Sequence, residues 1–218
     1  RFDKFNLKYN PFGQSRLREI FLKTDNLIGG RYFAELCKET FQDLEDSRYQ
    51  MAEPRVSIYG VNANEWDKLG DWILDNEMYS DHVRWLIQIP RLYYVHRGNN
   101  VIKTVQEMLD NVFRPLFEVT RDPKSHPKLH LFLKQVIGFD SVDDETKPEP
   151  RFHSRLPTPD QWNTVDNPPY AYYNYYFYAN INALNQYRMS KGLNTFKYRP
   201  HCGEAGDPLH LVSSYLVA

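Results

Sequence analysis

The chain of 218 residues contains only two cysteines, Cys37 and Cys202, far apart in sequence. That excludes the disulfide framework which staples small secreted domains. An excess of one charge is also missing: 27 Lys and Arg face 28 Asp and Glu, for a net charge of −1. No global field therefore draws nucleic acid or an anionic membrane. Long apolar runs are absent, none approaching the roughly 20 residues that span a bilayer, and the mean hydropathy is −0.66. The chain does not open with a charged-then-apolar leader. No G-x-G-x-x-G follows a strand-like stretch, which weakens a dinucleotide-binding reading. The expectation is a cytosolic, reduced protein with neither membrane nor nucleic-acid partners.

Aromatic residues are plentiful instead, with 16 Tyr, 13 Phe and 4 Trp. Each carries a large area into a core, so the chain has enough material for substantial burial.

Four short β-branched or aromatic stretches bounded by turn residues read as strands: Arg55 to Gly60, Val83 to Ile89, Phe132 to Phe139, and Thr195 to Pro200. Lys4 to Tyr9 alternates strictly and is a fifth candidate. Helical spacing runs over Ser15 to Lys23, Arg31 to Asp46, Asn64 to Asp75 and Val101 to Glu118. A long helix is predicted from Pro169 to Lys191, with Asn167 as N-cap and Gly192 as its stop. Strands alternating with helices indicate parallel βαβ units, and both an open doubly wound sheet and a section of (β/α)8 barrel fit that order. The Pro-rich stretch from Asp143 to Pro169 reads as a surface connection.

At the two ends, residue 1 is Arg, and a helix opened by Asp207 and Pro208 reaches Ala218 without a stop signal. The expectation is an internal segment, truncated at both ends.

The densest chemistry is Arg199-Pro200-His201-Cys202-Gly203-Glu204-Ala205-Gly206-Asp207, directly after the last predicted strand. Imidazole is a common zinc ligand, and zinc brings the pKa of a bound water to about 7. A carboxyl group three residues on, if buried beside a substrate, has its pKa raised and can donate a proton. His-x-x-Glu is short and common, so a solvated loop pair competes with this reading.

The longer string resembles the motif of the AMP deaminase family, shared more loosely with adenosine deaminases. The similarity extends to Lys4-Phe5-Asn6-Leu7-Lys8-Tyr9-Asn10-Pro11, Leu17 to Lys23, Arg84-Trp85-Leu86-Ile87-Gln88-Ile89-Pro90-Arg91, and Gly138 to Glu145, in the family's order. The resemblance implies an α/β fold, with residues 1–218 forming part of a (β/α)8 TIM-like catalytic barrel, about half of it. It implies a zinc-dependent hydrolase that deaminates AMP to IMP with release of ammonia, homo-oligomeric in its complete form. It makes His201 a zinc ligand and Glu204 the acid that contacts substrate, and assigns no role to Cys202. Lys4, Phe5, Asn6, Leu7, Lys8 and Tyr9 become a nucleotide-binding block, whose two lysines and amide suit a phosphate monoester. Without the resemblance, an edge strand protected by lysines is the simpler account of that block.

A catalytic zinc takes three protein ligands, and the family's others fall outside residues 1–218. The isolated segment is therefore expected neither to hold zinc tightly nor to turn over AMP. A nucleoside deaminase, and a non-catalytic remnant that binds nucleotide or another subunit, are the alternative readings. The His-x-Glu with Pro-Cys-x-x-Cys signature of cytidine-type deaminases is absent.

Other features carry bland expectations. Asp140, Asp143, Asp144 and Glu145 read as a solvated acidic loop in which Asp143 is a weak substrate-facing candidate. The tyrosine run from Tyr170 to Tyr178 lacks the interleaved basic residues of a base-stacking surface and reads as a packed helix. His126-x-x-x-His130 has Pro127 between its members, which argues against a zinc site on a helix face.

Overall fold

A computed structural model of the chain describes residues 18–21, 23–149 and 155–217. After a short helix α1 (Arg18–Phe21) come α2 (Arg31–Ser47), β1 (Arg55–Ser57), α3 (Glu65–Asp75), β2 (Trp85–Pro90), α4 (Tyr93–Gly98), α5 (Val105–Arg121), α6 (Pro127–Leu133), β3 (Val136–Val142), α7 (Tyr170–Ser190), β4 (Lys197–Tyr198) and α8 (Leu209–Val217). The four strands form one sheet in the order β1-β2-β3-β4, every pair parallel. Each neighbour in the sheet is also the next strand in sequence. A doubly wound sheet would show a reversal of strand order, and among the described residues this sheet has none. Crossovers of one hand along an unreversed order put the helices on one face, which is compatible with a section of an α/β barrel.

Phe139 of β3 marks the helix-covered face. Its ring meets Trp66 of α3 at 6.2 Å, Phe113 of α5 at 6.2 Å and Phe196, just before β4, at 5.3 Å. Aromatic pairs at such spacings add about 0.5–1.5 kcal/mol each beyond area burial. Ile87 and Ile89 of β2 are fully buried on the same alternation. The opposite face carries the rows Arg55–Leu86–Gly138–Lys197 and Ser57–Gln88–Asp140.

The helix boundaries have local causes. Thr104 caps α5 by accepting the Glu107 N–H at 3.2 Å, while the Glu107 carboxylate takes the Lys103 N–H at 2.7 Å. Gly192, at φ 68°, stops α7 as expected, and Leu193 N–H bonds back to the Arg188 carbonyl at 3.0 Å. The expected N-cap Asn167 is not the cap. Pro169 holds that position, and Asn167 instead accepts the Tyr173 hydroxyl at 2.9 Å.

The third strand lies further along than the sequence suggests. Phe132 belongs to α6, which opens on Pro127 at its first turn and buries Leu129, Phe132 and Leu133 at helical spacing. The strand runs Val136–Val142, so Asp140 is a strand residue and not part of a loop. The first strand is shorter than expected for a reason in the next turn. The N–H groups of Tyr59, Val61 and Asn62 all turn to the Glu65 carboxylate, at 2.6, 2.7 and 3.0 Å.

The tyrosine run is a packed helix, as expected. Tyr170, Tyr172 and Tyr173 are buried, and the Tyr172 hydroxyl ends on the Pro157 carbonyl at 2.9 Å. Both cysteines are free. Among the described residues no helix is long and apolar enough to cross a membrane.

Candidate active site

The parallel ladder continues past β4 into the motif. Arg199 N–H bonds to the Phe139 carbonyl at 2.8 Å and His201 N–H to the Ser141 carbonyl at 2.8 Å. Strand alternation from Lys197 through Arg199 places His201 on the face that carries Gln88 and Asp140, at the C-terminal end of the sheet. Gly138 makes this pairing possible: a Cβ there would lie 2.4 Å from the Lys197 carbonyl oxygen.

Asp140 is fully buried, and its carboxylate is saturated. One oxygen, Oδ1, lies 2.8 Å from His201 Nδ1 and 3.2 Å from the His201 N–H. The other, Oδ2, accepts from Arg55 Nε at 2.8 Å and Gln88 Nε2 at 3.0 Å. Residues of β1, β2 and β3 and of the segment that follows β4 thus converge on one carboxylate. A buried charge is tolerable when paired and fully hydrogen-bonded, and here both conditions hold.

Tyr170 fastens the same corner from α7. Its hydroxyl lies 3.0 Å from the Ser141 carbonyl and 2.7 Å from the His201 carbonyl. Burial pushes this phenol well above its usual range. A second anchor runs through Tyr198, whose hydroxyl donates to Asn174 Oδ1 at 2.6 Å, with Asn174 Nδ2 passing on to Ser214 Oγ at 3.1 Å.

His201 fits one ligand position of a zinc site. Nδ1 lies against the Asp140 carboxylate and Nε2 has no hydrogen-bond partner among the described residues, so Nε2 is the atom that would coordinate, in the arrangement by which metal-bound histidines are held in their tautomer. Among the described residues, the one close group of three ligating side chains is Asp143, Glu149 and His210, and His201 is not part of it. That group already has a cation: Arg91 sits 2.8 Å from Asp143 Oδ2 and 3.0 Å from Glu149 Oε1.

Glu204 lies in the bend after His201, flanked by Gly203 at φ 76° and Gly206 at φ 73°. Both glycines occupy the left-handed region that side chains avoid. Glu204 is exposed, so the burial expected to favour its protonated form is not supplied by the described residues. Lys4, Phe5, Asn6, Leu7, Lys8 and Tyr9 lie outside the described residues. Asp143 is bound to Arg91 and so is engaged structurally.

The acidic stretch is thus not a uniform solvated loop. Asp140 and Glu145 are buried, Asp143 is paired, and Asp144 is exposed with Thr146 and Lys147. Sequence reasoning missed Arg55, Gln88 and Tyr170. Gln88 did leave a trace, as a lone amide inside the apolar run Leu86-Ile87-Gln88-Ile89-Pro90.

Comparison with known proteins gives a consistent picture. The family model described as AMP deaminase matches residues 1–218. AMP deaminase of Schizosaccharomyces pombe is 62% identical over 218 residues, which cover 100% of this chain and 26% of that protein. AMP deaminase of Saccharomyces cerevisiae is 58% identical over 218 residues, covering 100% and 27%. Human AMP deaminase 3 is 52% identical over 219 residues, covering 100% and 29%. The chain therefore spans little more than a quarter of the length of these relatives.

Proposed function

Because this chain belongs to the AMP deaminase family, we propose that the protein carrying it hydrolyses AMP to IMP and ammonia at a zinc site that includes His201. The observation that carries this is the imidazole of His201 at the sheet's C-terminal end, its Nδ1 held 2.8 Å from buried Asp140. We read the four-stranded sheet as part of a (β/α)8 barrel, where chemistry sits at that end.

In this reading Asp140 keeps the proton on Nδ1 and presents Nε2 outward. Arg55 and Gln88 occupy the second oxygen of Asp140, so the carboxylate cannot rotate away from the ring. Tyr170 fixes the carbonyl of His201 and with it the backbone from which the ring hangs. Zinc, when bound, supplies Lewis acidity that makes water nucleophilic near neutral pH. Glu204 is the acid that gives a proton to purine N1. The Lys4 to Tyr9 block takes the nucleotide, Lys4 and Lys8 acting as point charges toward the phosphate. The complete enzyme is read as cytosolic and homo-oligomeric.

The test is a comparison of AMP with adenosine as substrates of the complete natural polypeptide. Ammonia release from AMP with little from adenosine is the expected result. Preference for adenosine would move the protein to the nucleoside deaminases. The 218 residues alone, supplied with zinc, are expected to be inactive, and clear turnover by them would overturn the view that further ligands come from elsewhere.

A further inference from the structure

Glu145 is a carboxylate that the function above leaves unused, yet it is only 4% exposed. Its Oε2 accepts the backbone N–H of Ala205 at 3.2 Å. Its backbone carbonyl packs against Gly206 so closely that a Cβ at 206 would lie 1.6 Å from the oxygen. Both contacts fall immediately after Glu204. On the other side of Glu204, Asp140 holds the ring and the N–H of His201. The two buried acids therefore grip the motif at its two ends, with Glu204 between them.

The grip matters because of what lies in between. Gly203 and Gly206, both at positive φ, place few conformational limits on the bend that carries Glu204. Without a tether at Ala205 the Glu204 carboxyl would have many positions open to it, and displacements near 1 Å cost on the order of 100-fold in rate.

Among the described residues, Glu145 Oε1 and His210 Nδ1 are both buried without a hydrogen-bond partner. His210 Nδ1 lies 3.8 Å from Glu145 Oε2, and His210 Nε2 lies 3.7 Å from Glu149 Oε1. The Tyr170 ring covers His210 at 5.1 Å between centroids. Among the described residues the Ala205 N–H is the one hydrogen bond that the Glu145 carboxylate accepts, through Oε2.

We propose that Glu145, backed by His210, is a positioning residue that sets the 201–207 loop and through it the place of Glu204 against the purine. This rests on the reading of Glu204 as the proton-donating acid. In the complete natural polypeptide, E145A is expected to lower kcat for AMP at least tenfold while KM stays within twofold. E145Q retains an acceptor for the Ala205 N–H and is expected to recover most of that loss. In an E204Q background E145A is expected to add nothing, because residues that act as a unit are not additive. Should E145A fail to fold, E145D keeps the carboxyl group but withdraws the acceptor by one methylene, with the same kcat loss expected. Hydrogen exchange at the Ala205 amide, faster in E145D than in wild type, reads the tether without substrate. Wild-type kcat in E145A or E145D, multiplying losses in the double variant, or unchanged exchange would overturn the proposal and leave the deaminase reading intact. A wild-type protein that does not turn over AMP would remove the deaminase reading, and this proposal with it.

Discussion

Asp140 Oδ1 stands 2.8 Å from Nδ1 of His201 and 3.2 Å from the backbone N–H of the same residue. One oxygen thus fixes both the ring and the main chain of the strand-tip histidine. The geometry turns Nε2 away from Asp140, makes it the atom that would coordinate in the proposed zinc site, and ties its direction to the sheet. Metal-ligating histidines with such outer partners typically lose 10–100-fold in metal affinity when the partner is removed.

Replacement of Asp140 is the first prediction. D140A leaves Arg55 and Gln88 without their shared acceptor and frees the His201 ring. The expected result is zinc affinity lowered by roughly 10–100-fold in the complete protein, measured by competition with a chelating dye. Unchanged affinity would mean that the ring is oriented by something else.

Gly138 carries the second prediction. A methyl at this position meets the Lys197 carbonyl at 2.4 Å, and the neighbour is backbone that cannot swing aside. G138A is expected to push β4 from β3 and to cost about 1–3 kcal/mol or more by urea unfolding. It should also lower activity, since His201 follows β4 directly.

Much of this could be read from the sequence, and the failures are instructive. Helix α2 and helix α3 were legible because their apolar residues recur at helical spacing. The third strand was misplaced because Leu129, Phe132 and Leu133 form an apolar cluster that suits either structure, and short runs do not reveal their period. His201 and Glu204 are singled out by family likeness, since a histidine and an acid three residues apart carry little specificity. Arg55, Gln88 and Asp140 meet only through strand register, which no local pattern encodes. Burial separated Asp140 and Glu145 from Asp144, although all three look alike as part of one acidic run.

Arg91 supports the third prediction. It is buried between Asp143 and Glu149, and its Nε reaches the Pro168 carbonyl at 2.8 Å just before α7. Removing one member of a buried ion pair strands the other, at a cost of about 3–5 kcal/mol. R91A is expected to be destabilised on that scale in chemical denaturation. A loss below about 1 kcal/mol, the range of surface pairs, would contradict the buried assignment.

Alkaline pH gives the fourth prediction. Burial raises the phenols of Tyr170, Tyr173 and Tyr198 above their ordinary value near 10. Below that pH these groups are neutral in both folded and unfolded chains and the effect on stability is flat. As pH rises past about 10, the unfolded chain loses phenolic protons that the folded chain keeps, so stability falls. Absorbance titration should show a set of tyrosines that ionise only as the protein unfolds. Smooth titration of all tyrosines near pH 10 with no loss of structure would contradict the buried placement.

Whether His201 is one metal ligand of an AMP-deaminating site is decided by AMP turnover of the complete protein with and without that imidazole. Wild type is expected to release ammonia from AMP, while H201A, folded by circular dichroism, falls by at least 1,000-fold, on the order expected when a catalytic group is lost. Turnover of AMP by H201A at a rate near wild type would contradict the claim.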